Sequence, residues 1–76
     1  MKDLLEALAA SLVDDPGRVR VRQRTEEGLV RLDLEVSPED RGRIIGRNGK
    51  TADALRALLD AVAKRHGKRC RLEIVD

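Results

Sequence analysis

The sequence predicts a small α+β domain in the order helix, strand, strand, short helix, long helix, strand. Three observations lead there. Apolar residues recur at helical spacing over residues 2–13 and again over 50–66. They alternate with mostly charged residues over 18–24, 30–36 and 69–75. Gly46-Arg47-Asn48-Gly49, with cations on both sides, separates a short helical stretch from the long one. Helices and strands that each carry one apolar face must cover one another, and a chain with a single small core does this by laying helices on a sheet.

Each element has its own signal. Leu4, Leu5, Leu8, Ala9 and Leu12 give the first helix its apolar stripe, with Asp3 and Glu6 in its first turns. Asp14-Asp15-Pro16-Gly17 stops it, because Pro cannot continue a helix and Gly suits the turn. Over 18–24 the period falls to two, with Val19 and Val21 pointing one way and Arg18, Arg20, Arg22 and Arg24 the other. Thr25-Glu26-Glu27-Gly28 is a connection of hairpin length. Val30, Leu32, Leu34 and Val36 then alternate with Arg31, Asp33 and Glu35. The arginine row on the first strand is a candidate nucleic-acid face. The simpler reading is a solvated face, with some arginines paired across to Asp33 and Glu35.

Ser37-Pro38-Glu39-Asp40 starts the next helix: Ser37 caps, Pro38 takes the first helical position, and Asp40 stands three residues on, as in a capping box. Gly42 weakens this helix and Gly46 ends it. The long helix over 50–66 buries Ala52, Leu55, Leu59 and Val62. It stops at Gly67, with Lys64, Arg65 and His66 at the negative end of its dipole. In the last strand Cys70, Leu72 and Ile74 face inward, and Arg69, Arg71 and Glu73 outward.

Composition removes several classes of function. At 76 residues, 41% hydrophobic and 39% charged, the chain reads as one globular domain over residues 1–76. Sixteen Lys and Arg stand against fourteen acids, so any affinity for a polyanion depends on where the cations sit. One Cys and one His exclude an internal disulfide and the usual zinc ligand sets, and no metal or cofactor is expected. No apolar run is long enough for a signal peptide or a membrane span, so the expected location is cytoplasmic, with no membrane partner. The chain has no Phe, Tyr or Trp. Stacking platforms of the kind that RNA-recognition motifs and OB folds use are therefore ruled out.

The glycine turn carries the chemistry. Small residues let a backbone approach, and the free N–H groups of the helix that follows suit an anion. Gly49-Lys50-Thr51 imitates the end of a Walker A loop, but Ile44 stands where that motif needs its first Gly, and a helix rather than a strand leads in. A helix-turn-helix DNA reader fits poorly, since its second helix would face the groove with Asp53 and Asp60 beside Arg56. His66 has no catalytic partner in sight, and no nucleophile–base pair is present, which argues against an enzyme.

Ile44-Ile45-Gly46-Arg47-Asn48-Gly49-Lys50 resembles the I-I-G-x-x-G signature of KH domains, and the αββααβ order is that of the type II KH fold. The length and the surrounding I-I-G-R-x-G-K-T context are similar to the KhpA-type family of small bacterial KH proteins. The resemblance covers essentially the whole chain. It implies a three-stranded sheet with three helices packed on one face, and a single-stranded RNA clamp. Gly46 and Gly49 would permit close backbone approach, Arg47 and Asn48 would project toward phosphates, and Lys50 would add charge. Ile45 would help floor the groove for bases while Ile44 anchors the core; Arg41, Arg43 and Arg56 would be outer contacts. Asp53 departs from a purely basic wall, and either limits affinity or bonds a base edge.

The family resemblance further implies an RNA chaperone or post-transcriptional regulator that self-associates and pairs with a larger KH-containing protein. The residues point the same way, since Leu58, with Ala54, Ala57 and Ala61, widens the apolar arc of the long helix beyond one stripe. That arc is the expected homodimer or partner face. The competing reading is a protein-interaction or ribosome-associated scaffold in which the glycine turn is only structural.

Overall fold

The computed structural model describes residues 1–75, with Arg47 described in its backbone only. Its elements are α1 (Lys2–Leu12), β1 (Arg20–Glu26), β2 (Leu29–Glu35), α2 (Pro38–Ile45), α3 (Lys50–Arg65) and β3 (Arg69–Ile74). Short 3-10 turns lie at Pro16–Arg18 and Arg47–Gly49. This is the expected αββααβ order.

The strands form one mixed sheet in the order β1-β2-β3. β1 and β2 are antiparallel, while β3 returns parallel to β2 after the two helices have crossed over. Being central, β2 supplies the middle of the core: Val30, Leu32 and Leu34 are 2%, 0% and 0% exposed. Val21 and Leu72 flank them, and Leu5 and Ala9 of α1, Ile44 of α2, and Ala52, Leu55 and Leu59 of α3 close over the same face. All three helices thus share one side of the sheet. The other side carries only alternate, mostly charged residues of the three strands.

Several boundaries and one contact differ from expectation, each for a local reason. The hairpin turn is Glu27-Gly28 alone, both at positive φ (42° and 81°), so Thr25 and Glu26 extend β1 and Leu29 begins β2. Pro16 to Arg18 coil into a 3-10 turn, which delays β1 to Arg20. On α3 the fully buried fourth position is Ala63, with Val62 only half-buried. Gly67, at φ +68°, closes that helix in a Schellman arrangement: its N–H reaches the Lys64 carbonyl and the Lys68 N–H reaches that of Ala63.

Asp40 is the contact that differs. The Ser37 Oγ does cap α2, accepting from the Asp40 N–H at 3.2 Å. The Asp40 carboxylate does not return the bond to the Ser37 backbone, as a capping box would. It accepts the Ser37 hydroxyl at 2.9 Å and the backbone N–H groups of Asp14 and Asp15 at 3.1 Å each. A carboxylate that is 1% exposed thereby pins the α1–β1 connection onto the start of α2.

Candidate nucleic-acid interface

The glycine turn is built by backbone geometry. Gly46 ends α2 with its N–H on the Gly42 carbonyl at 2.8 Å, and the Gly49 N–H then bonds back to Gly46 at 3.0 Å. A Cβ at Gly46 would stand 2.7 Å from the Gly42 oxygen, so no other residue fits without a backbone shift. Asn48 and Gly49 are both left-handed, at φ 62° and 70°; Asn tolerates this region and Gly enters it freely. The turn therefore joins α2 to α3 within three residues, with Asn48 exposed.

Gly49 is the N-cap of α3 and has no side chain to offer, so no side-chain hydrogen bond caps this helix. The positive end of its dipole lies at this turn, beside the exposed Lys50. The expectation for the Arg47 side chain lies outside the described residues. Ile44 and Ile45 divide as their spacing suggests, one 2% and the other 41% exposed.

Two cations assigned to the site have partners within the chain. Arg43 pairs with Asp14 and lies 3.4 Å from Asp40, so it braces the base of the turn against the α1–β1 connection. Those contacts leave Asp40 acidic. The Asp14 N–H is foremost in holding its carboxyl below the usual carboxylate range, with Ser37, Asp15 and the Arg43 charge assisting against the opposing effect of burial. Arg56 lies 3.5 Å from Asp53 one helical turn away, on the exposed flank of α3. This pair cancels charge locally instead of adding to a basic wall.

Beside α3 runs a cleft against β3, lined by Arg56, Leu59 and Asp60 of the helix and Cys70, Arg71, Leu72 and Glu73 of the strand. Sequence reasoning placed only Arg56 of these at the site. Leu72 is buried in the core and Cys70 packs against it, as their alternation implies, and the edge position of β3 leaves their strand bordering the cleft as well. Cys70 is half-buried there, and burial, with the Asp60 charge, pushes its thiol up, away from a reactive thiolate. A second groove, between the end of α1 and the turn, is lined by Leu12, Gly42, Arg43, Ile44, Gly46 and Thr51. Ala54, Leu58 and Ala61 are all exposed along the outer side of α3. Among the described residues no cluster of acids, His and Cys could hold a metal ion, and no helix is long and apolar enough to cross a membrane.

The family model described as "KhpA/KhpB, KH domain" matches residues 2–74, which takes in the turn and every element around it. The chain belongs to the KhpA/KhpB KH-domain family. That family is non-enzymatic, and so is this member. A Clostridium acetobutylicum relative, named RNA-binding protein KhpA, is 45% identical over 99% of this chain and 100% of its own. Relatives of the same name from Halalkalibacterium halodurans and Aquifex aeolicus are 42% and 41% identical over the whole of this chain, covering 100% and 96% of theirs. No solved structure matches. In this member of the KhpA/KhpB family, the glycine turn thus leads into a helix start that no side chain caps, with the groove of Leu12, Ile44 and Thr51 against Gly46.

Proposed function

We propose that this chain binds single-stranded RNA, holding the sugar–phosphate backbone at the Gly46–Gly49 turn and bases in the aliphatic groove beside it. The observation that carries the reading is the exposed turn at a helix start that no side chain caps. A helix start without a side-chain cap, an exposed Asn48 and the neighbouring Lys50 form a surface suited to phosphate oxygens. Curated relatives that match end to end and carry the name RNA-binding protein support the same reading. The chain acts as one KH domain in the cytoplasm, as an RNA chaperone or post-transcriptional regulator. It works as a homodimer, with a larger KH-containing protein, or both, through Ala54, Leu58 and Ala61. A single clamp without aromatic stacking holds few nucleotides, and joining two gives avidity.

One observation favours the scaffold reading instead. The turn needs both glycines for its own backbone, whether or not RNA is present. Binding of a short single-stranded RNA at two salt concentrations separates the readings, comparing the parent with an Arg47→Asp, Asn48→Asp variant. The clamp requires affinity that falls with salt, and a loss of about tenfold or more in the variant, or roughly 1.4 kcal/mol. Equal binding by a folded variant would remove the turn from the mechanism and leave the scaffold.

A further inference from the structure

The open side of the sheet is sorted by charge in a way that strand register alone reveals. Arg24 is the cross-strand partner of Arg31, and Arg31 is the partner of Arg71 on the other side. Three arginines thus stand in one row across all three strands, spanning about 10 Å at the usual strand spacing. The neighbouring row is Arg22, Asp33 and Glu73, and Arg20 lies opposite Glu35 beyond it. Opposite charges are therefore available on this face, yet one row is wholly cationic. Among the described residues, no ion pair within 4 Å engages Arg24, Arg31 or Arg71. The expected pairing of the β1 arginines with Asp33 and Glu35 is found as register but not as contact. Like charges placed directly opposite one another destabilise a sheet, so the row costs the free protein stability that an anionic occupant would restore.

Position adds a second argument. Arg71 lines the α3–β3 cleft with Arg56 and Leu59, and it also lines a shallow depression on the open face with Arg31, Asp33 and Glu73. Arg71 therefore belongs to both surfaces, as does its neighbour Glu73. A strand leaving the cleft over the β3 edge passes between Arg71 and Glu73 and, on the Arg71 side, meets Arg31 and then Arg24.

We propose that this arginine row is a second contact for RNA, taking the phosphate backbone of a strand that continues past the clamp. The inference rests on the RNA-binding reading above and extends it from the turn to the opposite side of the sheet. Arginine presents a fixed fork of donors suited to phosphate oxygens, and the row offers no base-reading platform. It therefore lengthens the site without adding sequence preference.

The test compares an RNA of about four nucleotides, the length a KH loop clamps, with one several times longer. The variants are Arg24→Gln, Arg31→Gln, Arg71→Gln together and, as a charge-matched control, Arg18→Gln, Arg20→Gln, Arg22→Gln together. With the long RNA, the row variant should show a salt slope shallower by about 2, since each phosphate neutralised on a single strand contributes about 0.7. The Arg24→Gln, Arg31→Gln pair, which leaves Arg71 in the cleft, should bind the short RNA as the parent does; Lys at all three positions should keep the slope, and thermal unfolding of the row variant should come no earlier than in the parent. An unchanged slope in the row variant overturns the proposal, as it would if the row served an acidic protein. An equal loss in the control overturns it too. Failure of the clamp reading looks different: the Arg47→Asp, Asn48→Asp variant would bind the short RNA as the parent does, and the long-RNA slope would still decide the row.

Discussion

Gly46 and Gly49 are needed for different reasons, and the difference can be measured. At Gly46 the obstacle is the Gly42 carbonyl oxygen, 2.7 Å from where a methyl would sit; at Gly49 it is a φ of +70°. Gly49→Ala should lower stability by about 1–2 kcal/mol in urea unfolding, the usual strain of a left-handed residue with a Cβ. Gly46→Ala must move the end of α2, and should shift the amide resonances of Gly42 and Arg43 as well as lower stability. Asp40 gives a pH signature. Its folded-state pKa is depressed, so its contribution is complete above the unfolded value of about 3.9 and is lost as pH falls through the lower folded value. The parent should therefore lose thermal stability on acidification below about pH 4. Asp40→Asn should be less stable at neutral pH, with a flatter acid profile. A variant profile that runs parallel to the parent's would show that Asp40 does not set it. Only the Ser37 cap of this network was legible in the sequence, because Asp14 and Asp15 reach Asp40 only once α1 and α2 have packed on the sheet.

At the scale of elements, periodicity carried most of the information. The stripe Ala52, Leu55 and Leu59 identified the buried side of α3, and alternation identified all three strands. Ends were less visible. Glu27 gives no sign of the positive φ it adopts, so Thr25 and Glu26 read as turn although they pair with Val30 and Leu29. The outer side of α3 keeps Leu58 43% exposed between Ala54 and Ala61, a strip of small residues on which a second helix could lie closely. Leu58→Glu should lower the mass measured by light scattering while leaving the circular dichroism of the chain unchanged. A parent that is already monomeric, or a variant of unaltered mass, would contradict a dimer through this strip.

The whole molecule is one sheet with two unlike sides: an apolar side closed by three helices, and a charged side left open. The sequence made the first side plain, because apolar spacing records which residues are buried. It could not show the second, since the Arg24, Arg31 and Arg71 row exists only once β3 is known to lie parallel beside β2. The turn was legible as a motif, but the α3–β3 cleft was not, as it exists only where β3 takes the edge of the sheet beside α3. The proposed clamp requires that the turn itself touch RNA. Its most direct test is amide mapping by NMR during titration of the intact chain with a short single-stranded RNA. The largest shifts should fall on the Gly46, Asn48, Gly49 and Thr51 amides, followed by the β3 edge at Cys70 and Leu72. Saturable RNA binding that leaves the turn amides unmoved would contradict it.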